Sequence, residues 1–165
     1  MGLSVVQNKV TTPFVTHIIA HLKKVAGYQA KANAGFEENL ATFGCEGYAL
    51  VCNTKGVITG RIVVHHYPET ALPIGNKLLG TKHTKMNDDI INALADFSQQ
   101  AIAPAIAELE KSDIEIDFSP TYFVSDTKKL GGILEDAKQM LTIPIEIENL
   151  GRFYFNFLIN SQIQK

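Results

Sequence analysis

The segment KMNDDIINALADFSQQAIAPAIAELE, Lys85 to Glu110, repeats its apolar residues at three- and four-residue intervals. Ile91, Leu94, Ala101, Ile102, Ala105 and Leu109 therefore fall along one side of an amphipathic helix, the side that seeks a core. The opposite side carries Asn92, Asp96, Gln99 and Ala103 at spacings of four, three and four, with Gln100 beside them. A carboxylate and an amide thus stand one turn apart on a solvent-facing ridge, which suits entry into another protein's cleft. Asn87 or Asp88 serves as the N-cap, and acidic residues in the first turn complement the helix dipole. Pro104 lacks an amide hydrogen and crowds the carbonyl of Gln100, so a kink or local unwinding is expected just past the ridge.

Working outward from this helix, the N-terminal side begins with a second one. Thr11 or Thr12 before Pro13 reads as its start and Gly27 as its end, with Phe14, Ile18, Ala20, Leu22 and Val25 on its apolar side. Lys31 to Thr42 is polar and small, fitting a loop or a short edge strand. Gly47–Cys52 and Val57–His66 are rich in Tyr, Val and Ile and form a hairpin around an Asn53–Gly56 turn. Gly60, inside the second strand, marks a bulge or a close backbone approach. Pro68 to Leu79 is a helix opened by proline and stopped by Gly80, and Thr81 to Met86 is a short connection.

On the C-terminal side, Ile114 to Val124 is a strand interrupted by Ser119-Pro120, and a proline there places it at a sheet edge. The pair Gly131-Gly132 disfavours helix, so Asp126 to Met140 reads as a loop followed by a short helix from Ile133. Ile143, Ile145 and Ile147 alternate, as do Phe153, Phe155, Phe157 and Ile159, around a turn at Asn149-Leu150-Gly151. They form an antiparallel hairpin with one strongly apolar face. Gln162 to Lys165 is expected to fray. Hairpins without strict strand-helix alternation indicate an α+β fold, a largely antiparallel sheet covered by helices. A helix-plus-hairpin unit near each end suggests an internal duplication.

Composition narrows the function. A chain of 165 residues, 45% hydrophobic and 19% charged, is sized for a single domain spanning 1–165 with a substantial core. Net charge is −2 with no basic stripe, which argues against a nucleic-acid partner. No apolar run approaches the roughly 20 residues of a membrane span, and the first residues lack the apolar stretch of a signal peptide, so a soluble cytoplasmic protein is expected. Cys45 and Cys52 make neither a disulfide framework nor a zinc site and are read as reduced. His17 and His21 have a chelating spacing but no further ligands, and His65-His66 point to opposite sides of a strand, so no bound metal is expected. There is no dinucleotide fingerprint, P-loop or hydrolase nucleophile motif.

The helix from Lys85 resembles the signature helix of the CheC/CheX chemotaxis phosphatases, which reads Asp or Ser, three residues, Glu, two residues, Asn, and a Pro about twenty residues on. In this sequence Asn92 takes the Asp/Ser place, Asp96 the Glu place, Gln99 the Asn place and Pro120 the later Pro. A small residue follows the Asn by four in the family, and Ala103 stands there. The likeness extends to Pro13-Phe14 opening the first helix, and to the helix with an early Ala71 closing on Leu79-Gly80. It implies the CheC/CheX-like fold, a duplication in which only one half carries the site, pairing into homodimers through the sheet, and a phosphorylated CheY-like receiver as partner.

The same resemblance implies a division of labour. Asp96 anchors the helix to a basic residue beside the receiver's phosphorylation site, and Gln99 orients the water that attacks the aspartyl phosphate. The receiver brings its own Mg²⁺, so no cofactor of this chain is required. Because phosphoryl transfer through a loose transition state depends chiefly on placing the water, an amide that donates and accepts hydrogen bonds suffices without a strong base. Asp is one methylene shorter than Glu and Gln one longer than Asn, displacements of roughly 1.5 Å each. Misplacement on that scale costs about 100-fold in rate. The alternative is therefore a CheX-like binding or scaffolding domain in chemotaxis or two-component signalling whose catalytic signature has drifted.

Overall fold

The computed structural model describes residues 4–41, 47–125 and 132–162. Three long helices and eight strands follow one another as α1 (Val5–Ala26), β1 (Ala30–Ala32), β2 (Phe36–Glu38), β3 (Tyr48–Gly56), β4 (Ile58–His66), α2 (Pro68–Leu79), α3 (Asp88–Lys111), β5 (Ile116–Phe118), β6 (Tyr122–Val124), β7 (Gln139–Ile147) and β8 (Gly151–Gln162). Residues 132–134 add a helical turn. All pairings are antiparallel. The order across the sheet is β1-β7-β8-β4-β3-β5, with β2 sharing the outer edge of β7 and β6 that of β3. The fold is α+β with helices on one face of an antiparallel sheet, as the sequence pattern predicts.

The two halves repeat one order. Each runs helix, two short strands, long hairpin: α1-β1-β2-β3-β4 and α3-β5-β6-β7-β8. The short strands of each half pair with the hairpin of the other, and the halves meet where β4 pairs with β8. This is the geometry of an internal duplication with exchanged edges, α2 being inserted between the copies. Only α3 carries an acid-amide pair, since α1 contains no acidic residue at all.

Packing explains why the helices survive their prolines. Phe14, Ile18 and Leu22 of α1 and Leu94, Ile102 and Leu109 of α3 are buried together with Phe153, Phe155 and Phe157 of β8 in one core. Phe14 stacks on Phe155 at 5.8 Å and meets Phe157 edge-on at 5.9 Å. Each fully buried side chain of this size contributes about 2–3 kcal/mol. That outweighs the hydrogen bond lost at Pro13, Pro73 or Pro104, each of which lies inside its helix. The kink expected at Pro104 is thus not a break: α3 is helical throughout. Among its apolar residues, Ile90 is buried and Ile91 only half-buried, the reverse of the expected weighting.

Other boundaries also move. Helix α1 begins at Val5, two turns before the Thr-Pro signal, because Ser4 and Gln7 form a capping box, each side chain bonding the other's backbone N–H at 3.0 and 3.2 Å. The first hairpin reverses at Val57, not over Asn53–Gly56. Thr54 is buried and pairs with Gly60 and Phe118 while Asn53 and Lys55 face solvent, so β3 runs on to Gly56. Gly56, at φ 134°, supplies the conformation the sharp reversal needs. At Gly60 the register with β8 slips, and a Cβ there would collide with the Leu158 carbonyl, confirming the close approach. The polar stretch after α1 forms β1 and β2, and the stretch around Pro120 forms β5 and β6, so both sheet edges are short and broken. Gln162 pairs with Ile58 at the end of β8 and is not part of a tail. Cys45, the last three residues and most of the loop expected after Val124 lie outside the described residues.

The face of the sheet opposite the helices is covered in part by the chain itself. Ala49, Val51, Val63, Met140 and Leu158 are buried there with Ile133, and Leu40, Leu134 and Ala137 pack on them. Arg61 Nη1 donates to the Ile133 carbonyl at 2.6 Å and thereby ties the 132–134 turn to β4.

Candidate functional site

Helix α3 starts where Asn87 accepts the Ile90 N–H at 2.9 Å through its side chain. Asp88 and Asp89 occupy the first turn, where the unpaired backbone N–H groups favour negative charge. From this start the helical period sets the site. Asn92, Asp96, Gln100 and Ala103 are exposed, whereas Gln99 is half-buried. Asp96 makes no hydrogen bond or ion pair to any described residue, so its carboxylate is open to solvent.

Gln99 differs from the simple ridge residue expected. Its Oε1 accepts both the backbone N–H and the hydroxyl of Thr121, each at 2.9 Å. A backbone N–H can be accepted only by the amide oxygen, which fixes the orientation of the side chain and leaves Nε2 without a partner among the described residues. Thr121 was not among the candidate residues drawn from the sequence. The only signal in reach was Pro120, which marks the break between β5 and β6 and sets Thr121 immediately before β6.

Gln100 is turned toward α1. Its Oε1 lies 3.1 Å from His21 Nε2, and the His21 ring stacks on Phe97 at 5.1 Å. One turn along, His17 Nε2 lies 2.7 Å from the Glu108 carboxylate. The histidine pair of α1 is therefore spent on bridging the two helices beside the site. Among the described residues, no group of three His, Cys, Asp or Glu side chains is placed to hold a metal ion. Asn92, Asp96, Gln99 and Ala103 share the α3 surface, and Gln100 lies at its border with α1. The arrangement offers a free carboxylate and, one turn on, a rigidly held amide; it can bind a cation and place a hydrogen bond.

Cys52, a free cysteine, is buried. Burial pushes the Cys52 thiol up to about 11, only partly offset by its hydrogen bonds with Ser119, so it is not a nucleophile at neutral pH. No helix among the described residues is long and apolar enough to cross a membrane.

Solved structures with the same architecture place the chain among the CheC/CheX-like folds. CheX from Desulfovibrio desulfuricans superposes with a TM-score of 0.74 at 18% identity, over 92% of this chain and 99% of that one. The CheX–CheY–BeF3–Mg²⁺ complex from Borrelia burgdorferi matches with a TM-score of 0.75 at 15% identity, over 92% and 98% of the two chains. FliY from Thermotoga maritima matches at 0.70 and 15% identity, over 96% of this chain and 92% of that one. No protein-family model and no curated protein sequence matches the chain. The chain has the CheC/CheX-like fold, and at these identities the likeness speaks for the fold alone.

Proposed function

We propose that the chain docks a phosphorylated CheY-like receiver domain on the exposed ridge of α3 and hydrolyses its aspartyl phosphate. The observation that carries this reading is the juxtaposition of Asp96, exposed and without a partner among the described residues, with Gln99, whose amide is held through Oε1 one turn away. The complex of a similarly folded CheX with CheY supports the class of partner. Asp96 pairs with a cationic side chain beside the phosphorylated aspartate, and Asn92 and Ala103 line the contact. Gln99 positions a water in line with the phosphorus–oxygen bond. The water oxygen bonds to phosphorus, the bond to the aspartyl oxygen breaks, and free carboxylate and inorganic phosphate result, the water's protons passing to phosphate and solvent. Mg²⁺ on the receiver neutralises the phosphoryl charge, and this chain needs to add only placement.

The test is inorganic phosphate release from phosphorylated CheY-like receivers with and without the full chain. Acceleration over the receiver's own decay is expected. Phosphate release at the receiver's unaided rate across several receivers, with binding still detectable by calorimetry, would leave a docking domain without hydrolysis. That second reading has its own support in the replacement of the family's Glu and Asn by Asp96 and Gln99.

A further inference from the structure

The hydrogen bonds of Gln99 restrict what its amide can do. An amide has one oxygen with two lone pairs and one NH2 with two protons. Thr121 occupies both lone pairs of Oε1, while Nε2 has no partner among the described residues. Thr121 is itself firmly placed. On its N-terminal side the Ser119 N–H donates to the Asn53 carbonyl and the Asn53 N–H donates to Ser119 Oγ, both at 2.9 Å. On its C-terminal side Tyr122 pairs with Val51 of β3. The crossover between β5 and β6 is thus pinned to β3 on both sides of the residue that grips Gln99.

We propose that Thr121 is a positioning residue that makes Gln99 a hydrogen-bond donor, so that the amide meets the attacking water through Nε2–H and not through Oε1. The proposal rests on the phosphatase reading for the identity of the water, and on the geometry alone for the clamp. A water oxygen that accepts one hydrogen bond from Nε2 keeps its other lone pair for phosphorus, and both of its protons remain free to leave. The clamp also answers the length of the glutamine side chain. An unrestrained Gln has one more rotatable bond than Asn, whereas two hydrogen bonds to a pinned crossover remove that freedom before the partner arrives.

Two measurements on the full chain decide this. The first needs no receiver: hydrogen exchange of the Thr121 backbone amide by NMR. Gln99→Ala should exchange that amide roughly tenfold faster, as expected for loss of a hydrogen bond of ordinary strength, and Gln99→Glu, which keeps an acceptor oxygen, should remain near wild type. Equal exchange in wild type and Gln99→Ala overturns the clamp. The second is phosphate release with a phosphorylated CheY-like receiver. Thr121→Val, which removes one donor at nearly constant volume, should lower the maximal rate roughly tenfold without moving the half-saturating receiver concentration, and Thr121→Ser should restore it. A Thr121→Val variant as fast as wild type, together with an active Gln99→Glu, would show the oxygen acting as acceptor and overturn the donor role. No acceleration by wild type would remove the phosphatase reading and the water contact with it, while the exchange result would still stand or fall on the clamp.

Discussion

The imidazole of His66 lies stacked on the ring of Phe153, centroids 4.7 Å apart and planes 16° from parallel, with neither ring nitrogen hydrogen-bonded. The side chain is fully buried. Loss of water around the charged form, with a smaller contribution from neighbouring His65, lowers its pKa from 6.5 to about 3.

Stability should therefore depend on pH in a definite direction. Between pH 6.5 and about 3 the unfolded chain holds a proton on His66 that the folded chain does not. Stability is then fully present above pH 6.5 and is lost as the pH falls, by about 1.4 kcal/mol for each pH unit, or roughly 2 kcal/mol at pH 5. His66→Phe should flatten the curve across that window. Urea unfolding at pH 7, 6 and 5 checks this; equal slopes for wild type and variant would assign the acid sensitivity elsewhere.

A buried polar pair on the other face of the sheet makes the second prediction. Thr142 Oγ1 donates to Asn156 Oδ1 at 2.8 Å, and Asn156 Nδ2 donates to the Val63 carbonyl at 3.1 Å, linking β7, β8 and β4 across the centre of the sheet. Asn156→Ala strands a hydroxyl and a carbonyl and should cost about 2–6 kcal/mol, since each unsatisfied buried group costs about 1–3. The double variant Thr142→Val/Asn156→Leu should recover part of the loss, because both partners become apolar together. Chemical denaturation of the double variant and of Thr142→Val and Asn156→Leu singly decides it, and additive losses would refute the pairing.

The sheet edges supply the third. Phe36 on β2 and Tyr122 on β6 are exposed large apolar residues, and both lie on edges made of three-residue strands. Edges of this kind call for cover, and a second copy of the chain, presenting the same edges, is the expected occupant. A homodimer at tens of micromolar is expected by light scattering; a monomer mass at that concentration would count against it.

How far such features can be read from sequence depends on how local their cause is. The Phe153–Ile159 alternation and the three-and-four spacing of α3 were legible because burial imposes its period directly on consecutive residues. The upstream turns of α1 were masked by Thr12-Pro13, a strong start signal, although Ser4 and Gln7 carried the weaker capping pattern. Asn53 and Lys55 hid the end of β3, since one polar face of a half-exposed strand looks like a turn. Asp96 and Gln99 were visible as a pair on one helix, but the grip of Thr121 on Gln99 joins residues 22 apart through a strand crossover, which no periodicity records. His66 was similarly opaque: nothing in its neighbours announces an imidazole buried without a partner.

The last prediction separates the roles of the α3 pair. Asp96 is exposed and makes no hydrogen bond or ion pair to a described residue, so under the proposed function its contribution to a receiver complex is an ion pair made equally before and during the reaction. Such uniform binding, once lost, raises the half-saturating concentration and leaves the maximal rate unchanged. Asp96→Ala should raise that concentration about 3- to 10-fold, the range for a charge-assisted contact at a partly wet interface, and the effect should shrink with added salt. Gln99→Ala removes the group that the proposed function sets against the water and should instead lower the maximal rate about 100-fold, with binding nearly intact. Gln99→Asn is too short to reach Thr121 from the same backbone position; it should free the Thr121 amide and, if the longer amide defines this site, lose activity. Steady-state phosphate release at several receiver concentrations distinguishes the two effects. Wild type, Asp96→Ala and Gln99→Ala accelerating phosphate release equally would take this helix out of the mechanism.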